Sequence, residues 1–189
     1  MKSIYFALIA VGLFTSGKLS SQWSFDSSHS NLQFSLVHLM VADVEGSIRI
    51  TEATITSSGD DFSNASISIK GDMSTIDTDN DGRDEHLRSP DFFDVGKNPY
   101  MSFNSSVFKK VSDTKYEVTG LLTLKGVSKQ ITLNVTATNN IQSWDSKAIV
   151  GFKVTGEINR IDFGIAKDSP GAMLSEEAQI KANVIFVKG

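Results

Sequence analysis

The sequence predicts an all-β protein: an antiparallel barrel that carries one short helix. Short segments that alternate apolar with polar residues follow one another from Trp23 almost to the C-terminus. Such alternation is typical of antiparallel strands with one buried face and one face in water. Only the polar segment Asp77–Asp94 resembles neither a strand nor a simple turn, and it contains the helical candidate Gly82–Arg88. A barrel decorated at one end in this way suggests a container for a ligand.

The first half of the chain contains short alternating patches separated by turn residues. A cluster of small and acidic residues at Ser57–Asp61 predicts a turn among them. The predicted strands are Trp23–Asp26, Leu32–His38, Gly46–Ile50, Thr54–Thr56 and Ala65–Ile69.

The second half continues the pattern with longer strands. Lys125-Gly126 predicts a tight hairpin, and Asn139-Asn140 predicts a bend. Glycines inside the strands, such as Gly46 and Gly120, have two interpretations: sharp bending that closes a barrel, or ordinary turns and bulges. The predicted strands are Met101–Val107, Tyr116–Leu124, Ile131–Ala137, Ala148–Arg160 and Ala178–Phe186.

Composition narrows the class of protein. The chain has 189 residues, of which 40% are hydrophobic and 21% charged, as expected for one globular domain. The net charge of −4 and the lack of a Lys/Arg cluster argue against a nucleic-acid partner. The absence of cysteine excludes disulfides and lipid attachment through an N-terminal cysteine, so the core alone must hold the fold.

Residues 1–21 predict a secretory signal peptide. Lys2 supplies the positive charge, Ile4–Phe14 the apolar stretch, and Ser20-Ser21 the small residues before cleavage at Gln22. The alternative is an N-terminal membrane anchor, but the apolar run is short for a bilayer. We therefore expect a single domain over residues 22–189, exported to the periplasm or secreted.

Asp77-x-Asp79-x-Asp81-Gly82 resembles the first half of a calcium-binding loop. Such a loop needs a glutamate at its twelfth position, and the cation Arg88 stands there instead. The flanking helices are missing too. We therefore expect a polar turn whose Asp or Asn residues cap the short helix, and no metal.

The remaining chemistry-bearing residues form no catalytic or metal motif. His29, His38 and His86 are far apart and lack zinc-site spacing, although a barrel could gather them. No Gly-x-Ser-x-Gly elbow is present. We therefore predict no catalytic residue and no cofactor, and expect His38 to be a hydrogen-bonded residue at one end of the barrel.

The polar segment leaves two interpretations open. Arg83 and His86 would either lie on a solvated, salt-bridged helix face or close one end of a cavity and meet a ligand head group. Phe92 and Phe93 would likewise be core residues or line the cavity mouth. The twelve Phe and five Met residues suit a barrel that is either filled or hollow, and composition alone does not separate the two.

Several blocks of sequence together resemble the YceI-like proteins, over about residues 22–187. Each block is weakly specific alone, whereas the combination is specific. One departure from the family pattern is the carboxylate-rich run Asp77–Asp81. The blocks are Phe25-Asp-Ser-Ser-His-Ser-x-Leu-x-Phe34, Val37-His-Leu-Met40, Val44-x-Gly46, Arg83-Asp-Glu-His-Leu-Arg-Ser-Pro-Asp-Phe-Phe-Asp94, Pro99-Tyr-Met-Ser-Phe103, Gly120-Leu-Leu-Thr-Leu-x-Gly126 and Arg160-Ile-Asp-Phe-Gly164.

The resemblance implies an extended, eight-stranded, lipocalin-like antiparallel barrel with the short helix near one mouth. It implies an apolar channel that binds, stores or transports a polyisoprenoid, an isoprenoid quinone or another long-chain amphiphile, without catalysis. Such proteins are often dimeric, and a carrier would make transient contact with membranes or membrane enzymes. Two alternatives stay open: an enzyme acting on an isoprenoid or other lipid, and a structural barrel with a filled core.

The alternation and the resemblance together predict the ligand-binding residues. His38, Arg83 and His86 are the candidates for orienting a head group, and Phe92 and Phe93 for lining the mouth. The predicted inward face consists of Phe34, Leu36, Met101, Phe103, Leu122, Leu124, Phe152, Val154 and Phe163.

Overall fold

The structure is a computed structural model that describes residues 23–57, 59, 61–142 and 147–189. The predicted signal peptide, residues 1–21, lies outside these residues. No helix in the described ranges is long and apolar enough to cross a membrane.

Over the described residues the fold consists of eight antiparallel strands, one α-helix and one 3₁₀ turn, which confirms the predicted all-β barrel with one short helix. The helix α1 spans Asp81–Arg88 and the 3₁₀ turn spans Arg160–Phe163. The strands are β1 (Trp23–His38), β2 (Ala42–Thr56), β3 (Ser66–Asp77), β4 (Tyr100–Lys110), β5 (Lys115–Leu124), β6 (Val127–Gln142), β7 (Ala148–Asn159) and β8 (Glu177–Lys188).

Each strand pairs with its neighbours in sequence, and β8 pairs with β1 to close the barrel. Leu32 lies opposite Ile48 on β2 and Ala182 on β8. Because neighbouring strands run in opposite directions, successive connections alternate between the two ends of the barrel. We call the end that carries α1 and the 3₁₀ turn the helix end, and the opposite end, where Trp23 begins β1, the aromatic end.

Bulges extend several strands beyond their predicted bounds. β1 is one strand rather than two, since the polar stretch between Asp26 and Asn31 bulges out of the ladder with β8. β2 likewise joins the two predicted strands Gly46–Ile50 and Thr54–Thr56 into one. The predicted bend at Asn139-Asn140 is wrong, because β6 continues to Gln142 through a bulge between Thr138 and Ile141.

Two strand glycines make room for aromatic rings inside the barrel. A Cβ atom at Gly46 would lie 2.5 Å from Cζ of Phe34, and one at Gly120 would lie 2.5 Å from Cζ of Phe103. Such distances exclude a side chain at Gly46 unless the ring moves, and at Gly120 the Asn104 carbonyl oxygen, also 2.5 Å away, excludes one as well. These contacts therefore explain both glycines by the space that the inward-facing rings and, at Gly120, the neighbouring carbonyl need.

A cluster of aromatic side chains fills the aromatic end. The ring of Phe62 lies 5.5 Å from that of Trp23 and 5.1 Å from that of Phe152, and Phe152 also contacts Phe186 at 6.1 Å. The Tyr116 hydroxyl donates to the Asp61 carbonyl at 2.6 Å, and burial raises the pKa of this phenol. The cluster closes this end of the barrel.

Candidate functional site

A cavity of about 420 Å³ occupies the barrel interior. All eight strands contribute to its wall, and the side chains facing it are mostly aliphatic or aromatic, such as Ile48, Leu122 and Ile180. The barrel is therefore hollow, which decides against the filled structural barrel. An apolar cavity suits an apolar ligand better than water, since water needs polar partners inside.

The cavity runs along the barrel rather than across it. Its lining includes Phe108 and Phe152 from the aromatic end and Leu124 and Leu174 from the helix end. On β5 alone, the lining extends from Val118 to Leu124, a span of roughly 20 Å at ~3.3 Å per residue. The shape suits an elongated molecule.

The polar groups of the lining gather at the helix end. They belong to His38, Arg83, His86, Arg160 and Ser169. Gln33 also lines the cavity, but it lies on β1 further from the helix end. Among the described residues that line the cavity, none is Asp or Glu. The charged residues that line the cavity are therefore arginines, in a chain with a net charge of −4.

Helix α1 places Arg83 and His86 at this entrance. Its first turn is capped by Asn80, whose side-chain oxygen accepts from the Arg83 backbone N–H at 2.9 Å, so the predicted capping is confirmed. Residues three apart share one helix face. The acidic stretch thus shapes the start of the helix, and within the described residues no group of three or more His, Asp or Glu is placed to hold a metal.

Arg83 is tied to the backbone just before the helix. Its Nε donates to the Thr78 hydroxyl at 2.7 Å and its Nη2 to the Thr78 carbonyl. The buried carboxylate of Asp84 accepts from the backbone N–H and the hydroxyl of Thr78. Arg83 makes no ion pair with any carboxylate in the part of the chain that the structure describes. Arg83 also lines the cavity at this entrance.

The two entrance histidines have different surroundings. The His86 ring packs edge-on against Phe92 at 4.8 Å, and its Nε2 lies 4.0 Å from the Asp91 carboxylate. His38 ends β1 in an exposed position and forms a β-bridge with Leu174. Both Phe92 and its buried neighbour Phe93 line the cavity.

Arg160 is a central residue of the helix end, and no role for it was predicted from the sequence. It is 2% exposed, and its Nε, Nη1 and Nη2 donate to carbonyls between residues 165 and 175. Burial lowers its pKa, while the charge of Glu176 acts in the opposite direction. The guanidinium thus ties the connection between β7 and β8 to the cavity entrance. The only sequence signal was the Arg160-Ile-Asp-Phe-Gly164 block.

The structure brings together the predicted site residues with one exception. Phe163 does not line the cavity, because the 3₁₀ turn breaks the two-residue alternation and buries this ring, 1% exposed, outside it. The residues that do line it are Phe34, Leu36, His38, Arg83, His86, Phe92, Phe93, Met101, Phe103, Leu122, Leu124, Phe152 and Val154. Their contact with a ligand stays a prediction.

Known proteins share this architecture. A UPF0312 protein of Staphylococcus aureus (strain COL) is 34% identical over 171 residues, covering 88% of this chain and 97% of that protein. The crystal structure of the Campylobacter jejuni YCEI protein is 28% identical, with a TM-score of 0.71 over 81% of this chain and 90% of its own.

A more distant structure shares the fold. It is described as a polyisoprenoid binding domain from Saccharophagus degradans implicated in plant cell wall breakdown. It is 15% identical, with a TM-score of 0.64 over 88% of this chain and 98% of its own. The model of the YceI-like domain matches residues 23–186, from the first strand to the last. The chain therefore belongs to the YceI-like domain family.

Proposed function

We propose that the barrel binds, stores or transports a long-chain amphiphile, such as a polyisoprenoid or an isoprenoid quinone, without catalysing a reaction. The observation that carries this proposal is the apolar cavity of about 420 Å³, which extends from a polar entrance to an aromatic floor. An elongated apolar chain fits its length, and a polar head group fits its entrance.

The size of the cavity makes a bound molecule energetically important. Without a ligand, the side chains around this volume of about 420 Å³ lack packing partners on one side. A lipid chain would supply those contacts and gain roughly 0.8 kcal/mol per buried methylene. Binding by chain burial needs no specific polar contact along the wall.

The entrance residues would orient the head group. Arg83, His86 and His38 supply hydrogen-bond donors at the helix end, and no carboxylate among the described lining residues opposes an electron-rich head. A quinone carbonyl or a phosphate oxygen would accept from such donors. The polyisoprenoid-binding description of the Saccharophagus degradans domain supports this class of ligand.

We also propose that the protein works outside the cytoplasm. The supporting observation is the leader over residues 1–21, with Lys2, an apolar stretch and small residues before Gln22. A carrier that shields a lipid in an apolar cavity would move lipids through an aqueous compartment. The expected homodimer remains a prediction.

Native mass spectrometry of protein purified without added lipid tests this function. We expect a co-purified long-chain molecule that organic extraction releases. Two neighbours on β5 provide matched variants: Leu122 is 3% exposed and lines the cavity, whereas Leu121 is 47% exposed on the outer face. Leu122→Asp should lose the bound molecule, and Leu121→Asp should retain it, because an unpaired charge is costly only when buried.

A second variant covers the case in which Leu122→Asp fails to fold. Ala182→Phe adds apolar volume to the wall and keeps the lining apolar. We expect it to fold and to bind less lipid. Parent protein that carries no lipid and takes up neither a polyprenol nor an isoprenoid quinone would refute the proposed function.

A further inference from the structure

We propose that the turn between β1 and β2 inserts into a lipid bilayer and docks the cavity entrance against it. This inference rests on the proposed function, because a lipid carrier must collect or deliver its ligand at a membrane. The contact surface, which we call the apolar tip, consists of Val37, Leu39, Met40, Val41 and Met173.

The tip exposes large apolar side chains at one place. Leu39 is 50% exposed, Met40 75%, Val41 84% and Met173 52%. No Lys, Arg, Asp or Glu occurs from Val37 to Ala42. Single exposed apolar residues are ordinary, whereas a contiguous group marks a contact surface.

The backbone conformation of the tip is a second reason to regard its apolar residues as a contact surface. The Val41 N–H donates to the His38 carbonyl at 3.2 Å, and the two residues between them have positive φ, 52° at Leu39 and 60° at Met40. Such turns favour Gly, Asn or Asp. Leu39 and Met40 are thus disfavoured here both by the backbone and by water. Contact with an apolar medium would offset the second cost.

Hydrogen bonds hold the tip in place beside the entrance. The Leu39 N–H donates to the Met173 carbonyl at 2.9 Å, and the Ser175 N–H donates to the Val37 carbonyl at 2.9 Å. The apolar side chains are therefore presented by a braced hairpin, and binding would not have to order a free loop.

The tip is continuous with the cavity. Met173 belongs to the tip and also lines the cavity. Its neighbour Leu174 and the residue His38, next to the tip residues Val37 and Leu39, line the cavity too. A membrane that received the tip would therefore meet the entrance directly. A chain could pass between bilayer and barrel with little exposure to water.

The small size of the tip favours a bilayer over a protein partner. A stable protein interface uses roughly 20–30 residues on each side, whereas binding at the boundary of a bilayer scales with the apolar area buried and needs no matching surface of that size. Because the tip itself carries no Lys or Arg, we expect insertion into neutral phosphatidylcholine, with little dependence on salt.

The absence of native cysteine allows a single-site test. Met40→Cys in the full chain is labelled with an environment-sensitive fluorophore and mixed with phosphatidylcholine vesicles that contain a spin-labelled lipid. Val111→Cys is the matched control, since Val111 is 56% exposed in the turn after β4 at the aromatic end. Residues 1–22 are common to both proteins.

We expect a blue shift and quenching by the spin-labelled lipid at Met40 and neither change at Val111. An unchanged Met40 probe, or equal changes at both sites, would overturn the proposal. So would a change at Met40 that follows protein concentration without vesicles, since a second copy of the chain would then cover the tip.

A measurement of lipid uptake tests whether the tip contributes to the proposed function. Met40→Asp/Val41→Asp should slow uptake of an isoprenoid quinone from vesicles roughly tenfold or more, because a smaller fraction of the protein would be bound to the bilayer. Uptake from detergent micelles should be unchanged. Equal uptake from vesicles by parent and variant would contradict the docking role. If the parent took up lipid from neither source, the proposed function would fail, and the Met40 probe would still decide whether the tip inserts.

Discussion

The aromatic end and the helix end of the barrel are built from different kinds of contact. At the aromatic end, Trp23, Phe62 and Phe152 pack ring against ring and are at most 9% exposed. At the helix end, Arg83 and Arg160 donate hydrogen bonds to backbone carbonyls around an entrance. One end is sealed by apolar packing, and the other is shaped by polar bonds.

The difference suggests that the two ends of the cavity have separate roles. Ring packing is strong and non-directional, so it suits a floor that must exclude water. Hydrogen bonds from arginine fix backbone segments in one arrangement while they leave an opening between those segments. We therefore expect variants at the aromatic end to affect stability most, and variants at the helix end to affect ligand binding most.

The largest effect should come from removing a ring of the aromatic end. Phe152→Ala should lower the free energy of unfolding by about 3–5 kcal/mol, because Phe152 is 1% exposed and contacts Phe62, Phe108 and Phe186. Urea unfolding measures the change. Phe92→Ala is the matched control at the helix end, where the ring is half-buried, and it should cost clearly less. Equal losses would remove the distinction between the two ends.

The next effect should appear at Arg160. Arg160→Met leaves buried carbonyls of residues 165–175 without a donor, and we expect a loss of about 2–3 kcal/mol. Hydrogen exchange should become faster in residues 164–176. Arg160→Lys should not restore the parent behaviour, since an ammonium lacks the planar fork of a guanidinium. Full rescue by lysine would show that charge alone matters here.

A smaller effect is expected at Arg83, and it should depend on the ligand. Arg83→Ala should weaken binding of an isoprenoid quinone roughly tenfold, as for loss of one charge-assisted hydrogen bond worth about 1.5 kcal/mol. A headless hydrocarbon of equal length should bind unchanged, because chain burial is non-directional. Titration of both ligands separates the outcomes. Equal losses with a lower melting temperature would mean that Arg83 only holds Thr78 in place.

The smallest effect concerns a carboxylate near the aromatic end. The hydrogen bond from His29, at 2.8 Å, holds the pKa of Asp26 below its usual 3.8. A depressed carboxyl pKa adds stability above the usual pKa, and this stability is lost as pH falls through the lowered value. Asp26→Asn should therefore lower stability near pH 7 by less than about 1 kcal/mol, with the difference vanishing in strong acid. His29→Ala should give a similar profile, and a difference that grew on acidification would contradict this pairing.

Much of the barrel wall could be predicted because inward and outward residues alternate along the regular stretches of the strands, between the bulges. Leu122 and Leu124 on β5 illustrate this, since both line the cavity as expected. The expectation failed where the backbone leaves the regular ladder. Asn139-Asn140 was predicted as a bend, although β6 continues through a bulge there. Phe163 was predicted to face inward from the alternation and the family resemblance, but it lies in a 3₁₀ turn, which has no such alternation.

The helix end was harder to predict because its residues meet across long sequence separations. The link between Arg160 and the carbonyls of Ser169 and Leu174 depends on how the connection after β7 folds back, which no local pattern encodes. The apolar tip was also missed as a surface. Val37-His-Leu-Met40 reads as the end of an alternating strand, and only the positive φ at Leu39 and Met40 shows that the side chains leave the barrel.

The seam between β1 and β8 has a consequence for the order of folding. It joins the first strand to the last, and the Ile185 N–H donates to the hydroxyl of Ser30 across 155 residues of sequence. Contacts of such long range form late and slow the folding of β proteins. A nascent chain that lacks residues 177–188 would have seven strands, two unpaired edges and a slit along its side, an arrangement prone to aggregation. The barrel can therefore enclose a ligand only once β8 is available to pair with β1.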